Sequence, residues 1–136
     1  MATEPTLLFG VGATKSGTSW LYDYLASHPE CHLRGIKELH YFDTVEKSFY
    51  HQQLTLHDKE AARLREKLWG AKGKRQMRVA NKLRDVLDWH GVLAERTENT
   101  TSYLSYLSAG LAGRSLIADI TPAYALLPEA RLKAMA

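Results

Sequence analysis

The chain has 136 residues, of which 45% are hydrophobic and 24% charged, as in an ordinary globular protein of one domain. The net charge of +3 suits an anionic ligand but is too small to predict a nucleic-acid partner. A single cysteine, Cys31, excludes an internal disulfide framework and offers no metal cluster. No apolar run approaches the roughly 20 residues of a membrane span. The first residues are too few and too acidic for a signal peptide, so we expect a cytoplasmic protein without a membrane segment.

The first predicted unit is a strand, a glycine-rich turn and an amphipathic helix within Thr6–Pro29. Thr6–Val11 is a short apolar run typical of a buried strand. Gly10 and Gly12 permit a sharp turn and a close approach of the backbone to a ligand. The helix is predicted to end at His28–Pro29. Its apolar face is predicted to consist of Trp20, Leu21, Tyr24 and Leu25. A glycine turn that feeds a helix N-terminus attracts phosphate.

The turn contains Lys15 but matches neither common nucleotide motif. In the P-loop of NTPases the lysine directly follows the last glycine, whereas Thr18 follows Gly17 here. The dinucleotide fingerprint also fails, because Lys15 stands where its third glycine belongs. The string Lys15-Ser16-Gly17-Thr18-Ser19-Trp20-Leu21 closely resembles the 5′-phosphosulfate-binding loop of the sulfotransferases that use 3′-phosphoadenosine 5′-phosphosulfate (PAPS).

This resemblance implies that the loop binds PAPS through Lys15, Ser16, Gly17, Thr18 and Ser19, and that Lys15 is also catalytic because it neutralises the leaving phosphate. Thr18 and Ser19 are in addition residue types that favour a helix N-cap. The resemblance suggests that Trp20 packs on the adenine, whereas the helical pattern equally favours a core-facing Trp20. The alternative interpretation is an ordinary strand–turn–helix unit with a solvated lysine.

Charged and aromatic residues follow a second predicted strand, Cys31–Gly35. If the first two strands are parallel, Glu38 and His40 lie near the phosphate loop and, in an extended segment, point the same way. The resemblance to glycan-type sulfotransferases implies that Glu38 is the catalytic base, with His40 as second candidate and Tyr41 on the acceptor side. Alternatively, Glu38 forms a surface ion pair with Lys37 or Arg34, and Tyr41 and Phe42 fill the core.

The middle of the chain is predicted to be helical. The predicted helices are Asp58–Trp69, Arg84–Glu95 with Asp85 as a possible cap, and Thr101–Ala112. Between them, Gly70 and Gly73 indicate a loop. The stretch 67–84 carries seven Lys or Arg residues and no acidic residue. Such a run is usually a solvated face, and the alternative is a docking surface for an anionic acceptor.

Ser115–Ile120 is the third predicted strand, and Ala123–Ala136 is predicted to be helical with Pro128 in a first turn. The stretch from Asp119 to Tyr124, DITPAY, is similar to a second sulfotransferase element at the acceptor side of the site. The resemblance therefore implies acceptor contacts from Thr121 and Tyr124. Heparan-type members carry lysine at the position of Ile120, so glycosaminoglycan specificity is not implied.

The sequence thus predicts an α/β fold. The resemblance implies a three-layer α/β/α, P-loop-like parallel sheet that is incomplete after its third strand, with residues 1–136 as the amino-terminal portion of one sulfotransferase domain. It implies sulfuryl transfer from PAPS to a hydroxyl or amine of an acceptor, with a glycan as one candidate, and no metal. The family's 3′-phosphate site would lie beyond Ala136, so this chain alone is expected to be inactive and to bind the 3′,5′-bisphosphate product poorly. The alternatives are a P-loop kinase or NTPase with Asp119 as its Mg²⁺ ligand, and a non-catalytic remnant that binds an anionic ligand.

Overall fold

The computed structural model describes residues 3–12, 15 and 17–136. This part of the chain is an α/β protein in which short strands alternate with helices of very different length. In chain order the elements are β1 (Thr6–Gly10), α1 (Thr18–Ser27), β2 (Cys31–His32), α2 (Tyr41–Lys47), α3 (Tyr50–Gly70), α4 (Gly73–Ala94), α5 (Thr100–Ser108), β3 (Leu116–Ile120), a 3₁₀ helix (Pro122–Leu126) and α6 (Glu129–Met135).

The three strands form one parallel sheet in the order β1-β3-β2. The prediction of an α/β fold with three parallel strands is therefore confirmed. The last strand in the sequence occupies the centre, where Phe9 of β1 pairs with Asp119 and Cys31 of β2 pairs with Leu116. Because all strands are parallel, their carboxyl ends meet at one edge of the sheet. The segments that follow each strand therefore leave the sheet on the same side.

Close packing between β1 and β3 requires a glycine at the end of β1. A Cβ atom built on Gly10 would lie 2.7 Å from Cγ2 of Ile120, its partner in the sheet. Real Cβ atoms do not approach other carbons so closely, and the isoleucine belongs to the central strand. Gly10 therefore allows the end of β1 to pack closely against the central strand.

The core is built largely from aromatic side chains that four different helical segments bring together. Tyr41 stacks on Tyr103 with ring centroids 4.7 Å apart, and Phe42 packs edge-on against the same tyrosine at 5.1 Å. Trp89 of α4 and Tyr124 of the 3₁₀ helix are fully buried beside them. Burial of such large rings contributes most of the hydrophobic stabilisation available to a chain of this size. Tyr41 and Phe42 are thus core residues, as one interpretation of the sequence predicted.

The two longest helices form a hairpin whose boundaries differ from the prediction. The first of them, α3, begins at Tyr50, so Asp58 lies inside a helix rather than at its cap. The second, α4, begins already at Gly73, so the predicted loop shrinks to the two residues between the helices and Arg84 lies mid-helix. Packing of one helix against the other stabilises additional helical turns that helix propensity alone does not predict. None of the helices in the described part of the chain is both long and apolar enough to cross a membrane.

The last two predicted helices also differ from the prediction, since one ends earlier and the other is divided in two. The α5 helix ends at Ser108, because Ala109 is extended and Gly110 has a φ of 84°. The predicted helix 123–136 is divided into the 3₁₀ helix and α6, with Pro128 at the N-cap of α6. A residue that precedes a proline avoids helical angles, which accounts for the break at Leu127.

A buried arginine fixes the segment that follows β2 to α4. The Arg34 guanidinium binds Asp85 and Asp88 at 2.8 and 2.7 Å and donates to the carbonyl oxygen of Tyr106. Asp85 also accepts from the backbone N–H of Gly35 at 2.7 Å. The alternatives of a surface ion pair between Glu38 and Arg34, and of Asp85 as a helix cap, are therefore wrong. Both predictions assumed that the partner is close in the sequence, whereas Arg34 and Asp85 are 51 positions apart.

Candidate active site

A cavity at the carboxyl edge of the sheet contains most of the residues predicted to bind the donor, together with the predicted base. Its volume is about 270 Å³. Its walls are formed by Lys15, Gly17, Thr18, Ser19, Glu38 and Pro122. These residues come from the three segments that follow β1, β2 and β3. Open parallel sheets bind ligands at this kind of edge, since neighbouring segments diverge there and leave a crevice.

Two described residues just before α1 have left-handed backbone conformations and line this cavity. Gly17 is the N-cap of α1 with a φ of 87°, and Lys15 is also left-handed with a φ of 63°. The helix begins at Thr18 without any side-chain cap, so the prediction that Thr18 or Ser19 is the cap is wrong. Both hydroxyl residues instead lie in the first turn, where backbone N–H groups have no partner within the helix. Ser16, also predicted to bind the donor, lies outside the described residues.

Glu38 and His40 are in direct contact. The Nε2 atom of His40 lies 3.2 Å from Oε2 of Glu38, and its Nδ1 atom lies 2.8 Å from Oδ2 of Asp43. The pKa of His40 is raised, chiefly by its hydrogen bond with Asp43. Burial of the ring lowers this pKa, but the negative charges of Asp43 and Glu38 raise it further. A protonated imidazole donates from both nitrogens, so it holds Glu38 on one side and Asp43 on the other.

The contact between these two side chains lies where the segment after β2 enters α2. His40 has a φ of 54° and is the N-cap of α2, which begins at the next residue. Asp43 then lies in the first turn of the helix, within reach of His40. Of the pair, Glu38 lines the cavity, whereas His40 stands behind it with both ring nitrogens engaged. The structure therefore gives the two candidate bases different positions.

A buried carboxylate below the cavity organises the backbone of this segment. Asp119, at the end of β3, accepts hydrogen bonds from Tyr103, Thr121 and Tyr124, each at 2.7 Å. The Thr121 hydroxyl in turn accepts from the N–H of Leu39 at 3.1 Å. Burial raises the pKa of Asp119, against the three hydroxyl donors, which lower it. The three hydroxyls all donate towards this carboxylate, an arrangement that suits its ionised form.

This network continues to the residues beside the predicted base. The Thr121 hydroxyl also accepts from the N–H of His40 at 3.4 Å, and the Tyr124 hydroxyl accepts from the N–H of Tyr41 at 3.0 Å. The backbone on the carboxyl side of Glu38 is therefore held by three consecutive N–H groups that donate to two side chains. Asp119 orients both of these side chains, so it positions Glu38 without reaching the cavity.

The three side chains predicted to contact the acceptor are buried. Tyr41 is 1% exposed, and Thr121 and Tyr124 have no exposed surface. The Tyr41 hydroxyl accepts from the backbone N–H of Asn99, and the other two belong to the network around Asp119. The assignment of direct acceptor contacts to these side chains is therefore corrected to a supporting role. Only Pro122, between two of them, reaches the cavity wall.

Trp20 is neither in the core nor at the cavity wall. It is 69% exposed and stacks on Tyr24 of the next turn, with ring centroids 5.4 Å apart. None of the residues of α1 is buried, so the prediction that Trp20 and Tyr24 face the core is wrong. The apolar residues do recur with helical periodicity, but the face of α1 that they form is not buried against the described part of the chain.

The remaining predicted features fall outside the cavity. Asp119 is 1% exposed and is surrounded by hydroxyl donors, so it is not available as the Mg²⁺ ligand that a P-loop NTPase requires. The basic residues of the stretch 67–84 are all exposed on α3, α4 and the turn between them. They lie apart from the residues that form the cavity wall.

Sequence reasoning missed two important members of the site. Asp43 could have been found, since its spacing of three residues from His40 is that of neighbours on a helix. Tyr103 carried no such signal, because its partner Asp119 lies 16 positions away and only the fold brings them together. Comparisons with protein-family models, with curated proteins and with solved structures find no match to this chain.

Proposed function

We propose that the chain carries the donor-binding loop and the catalytic base of a PAPS-dependent sulfotransferase, on a three-layer α/β/α fold of the P-loop-like type. The observation that carries the proposal is the shared cavity, which is lined by Lys15, by the first turn of α1 and by Glu38. A cation and a helix N-terminus close to a carboxylate suit the transfer of an anionic group to a hydroxyl.

Lys15, Gly17, Thr18 and Ser19 would hold the 5′-phosphate of the donor. Sulfuryl transfer is similar to phosphoryl transfer in that negative charge grows on the leaving oxygen as the bond breaks. The Lys15 ammonium neutralises this charge, and the N–H groups at the start of α1 and the hydroxyls beside them keep the phosphate in place. One well-placed donor of this kind typically contributes about 3–4 kcal/mol to transition-state stabilisation.

Glu38 would accept the proton of the acceptor hydroxyl or amine. Its side chain is 46% exposed, so it is accessible from the cavity, and its contact with His40 limits its rotamers. His40 is a positioning residue in this scheme, since both of its nitrogens bind carboxylates. A positioned general base typically contributes about 10²–10⁴-fold to the rate. A glycan is one candidate acceptor, because it offers many hydroxyls.

A titration of the loop amides tests donor binding without the 3′-phosphate. Adenosine 5′-phosphosulfate is added to the ¹⁵N-labelled protein, and we expect chemical-shift changes at the N–H groups of Gly17, Thr18 and Ser19. Lys15→Ala should abolish these changes. Lys133→Ala removes an exposed lysine that pairs with Glu129 on α6, and it should leave them unchanged.

Turnover is a second readout only if the chain retains some activity, since the chain alone is expected to be inactive. With PAPS and a mixed panel of hydroxyl acceptors, Lys15→Ala should lower any sulfuryl transfer by about 10²–10³-fold. Glu38→Gln should lower it by about 10²–10⁴-fold without changing the amide shifts, because the base does not hold the phosphate. Loop amides that do not respond to the nucleotide, or that respond equally in the Lys15→Ala variant, would overturn the proposal.

A further inference from the structure

A second cavity lies between α3, α4 and the segment that follows β2. Its volume is about 410 Å³, within the range of roughly 300–1,000 Å³ that small-molecule sites occupy. We call it the α3–α4 cavity. It shares no residue with the candidate active site, although Lys37 at its wall directly precedes Glu38 in the chain. Part of its wall is apolar and consists of Ile36, Leu56 and Val86.

Cationic side chains from three separate elements converge on this cavity. Lys37 comes from the segment after β2, Lys59 and Arg63 from α3, and Lys82 from α4. The one carboxylate at the wall, Glu60, is engaged by Arg63 at 2.9 Å. Within residues 3–12, 15 and 17–136, neither Lys59 nor Lys82 forms an ion pair. The cavity therefore has an excess of positive charge that the described residues do not neutralise.

A buried imidazole at the same wall lacks a hydrogen-bond partner. His57 is 6% exposed, and its Nε2 atom is buried without a donor or acceptor in the described part of the chain. Burial is the main cause that lowers the pKa of His57, and the neighbouring His90 lowers it further. A neutral imidazole has one donating and one accepting nitrogen. Because this Nε2 atom has less than 1 Å² of accessible surface, it does not face the open cavity, and a ligand would contact the cationic and apolar residues of the wall instead.

We propose that the α3–α4 cavity is a binding site for a small organic anion with an apolar body. The apolar body lies on Ile36, Leu56 and Val86, while Lys59 and Lys82 hold its carboxylate, sulfate or phosphate group. The proposal rests on the convergence of unpaired cations and an apolar wall in one cavity of ligand size. It does not depend on the proposed sulfotransferase activity.

Three probes that separate the contribution of the apolar body from that of the charge test the site by calorimetry. Naphthalene-2-carboxylate has both the apolar body and the charge, naphthalene-2-carboxamide has the body alone, and acetate has the charge alone. We expect the carboxylate to bind at least tenfold more tightly than either of the others. Methyl shifts of Ile36, Leu56 and Val86 in NMR spectra should report the same binding event. Equal affinities for the carboxylate and the carboxamide would overturn the proposal.

Two double variants separate this cavity from the general basic surface. Lys59→Gln with Lys82→Gln should weaken binding of naphthalene-2-carboxylate at least tenfold, and both residues are exposed, so the fold should persist. Lys74→Gln with Arg78→Gln removes the same charge from α4 outside the cavity and should leave binding unchanged. Equal losses in the two variants would show nonspecific attraction and refute the site. Lys15→Ala should have no effect here, so failure of one proposal is distinguishable from failure of the other.

Discussion

Replacing Thr121 by valine removes one hydroxyl that serves three partners while keeping the shape of the side chain. The hydroxyl donates to Asp119 at 2.7 Å and accepts from the N–H groups of Leu39 at 3.1 Å and His40 at 3.4 Å. Thr121 has no exposed surface, so water cannot replace these bonds without a rearrangement. The variant therefore leaves a buried carboxylate oxygen and a buried N–H unsatisfied.

The expected cost follows from the kind of bond lost. A hydrogen bond to a charged group contributes about 1.5–3 kcal/mol and a neutral one about 1 kcal/mol. The long bond to His40 adds little. We therefore expect Thr121→Val to lower the free energy of unfolding by about 3 kcal/mol. This is a large fraction of the roughly 5–15 kcal/mol that stabilises a typical domain.

Thr121→Ser is the matched control, because it keeps the hydroxyl and removes a methyl group. Loss of a buried methyl costs about 1 kcal/mol, so the valine variant should be less stable than the serine variant by about 2 kcal/mol. Urea denaturation followed by circular dichroism measures both values, and hydrogen exchange of the Leu39 amide should accelerate only in the valine variant. If serine proves as destabilising as valine, the hydroxyl does not hold the segment beside Glu38, and the positioning argument fails.

Two further predictions concern charged groups. Arg34→Met leaves two aspartates without their partner and should lower the free energy of unfolding in urea by about 2–4 kcal/mol. Arg63→Met breaks an exposed ion pair on α3 and should lower it far less, because solvent screens that pair. Similar losses in the two variants would contradict the role of burial. In an NMR titration the pKa of His40 should lie above its ordinary value of 6.5, and Asp43→Asn should lower it. Because the pKa of His40 is higher in the folded state than in the unfolded state, protonation of His40 stabilises the fold. This stabilisation is complete at a pH below the unfolded-state pKa and is lost as the pH rises through the folded-state pKa. A wild-type His40 pKa at or below 6.5 would contradict the contact.

The position of Asp119 explains why a residue without access to the cavity matters for the site. β3 is the central strand, so its carboxyl end lies below the segments that follow both outer strands. A carboxylate at this point orients Thr121 and Tyr124, which then hold the backbone beside Glu38. A site assembled from three separate segments requires such a common anchor, because each segment alone has many accessible conformations.

Local pattern was sufficient for two of the three strands and for the glycine before α1, whereas the strand predicted over Cys31–Gly35 is only Cys31–His32. Short apolar runs at Thr6–Val11 and Ser115–Ile120 predicted β1 and β3 almost to the residue, because buried parallel strands need continuous apolar stretches. The glycines around Lys15 predicted the turn, since Gly17 adopts a φ that other residues rarely adopt. The identity of Glu38 as a cavity residue also followed from sequence, because parallel strands end at one edge.

Tertiary contacts decided the rest. Amphipathic spacing predicted a core role for Trp20, and the family resemblance implied an acceptor role for Tyr124, yet the first is exposed and the second is buried against Asp119. The helix boundaries of the α3–α4 hairpin, the burial of Arg34 and the network around Asp119 all depend on partners far apart in the chain. A sequence pattern indicates which face of a helix or strand is apolar or charged. Only the packing of the whole chain determines which residues contact that face, because burial of side chains and formation of ion pairs depend on the folded structure.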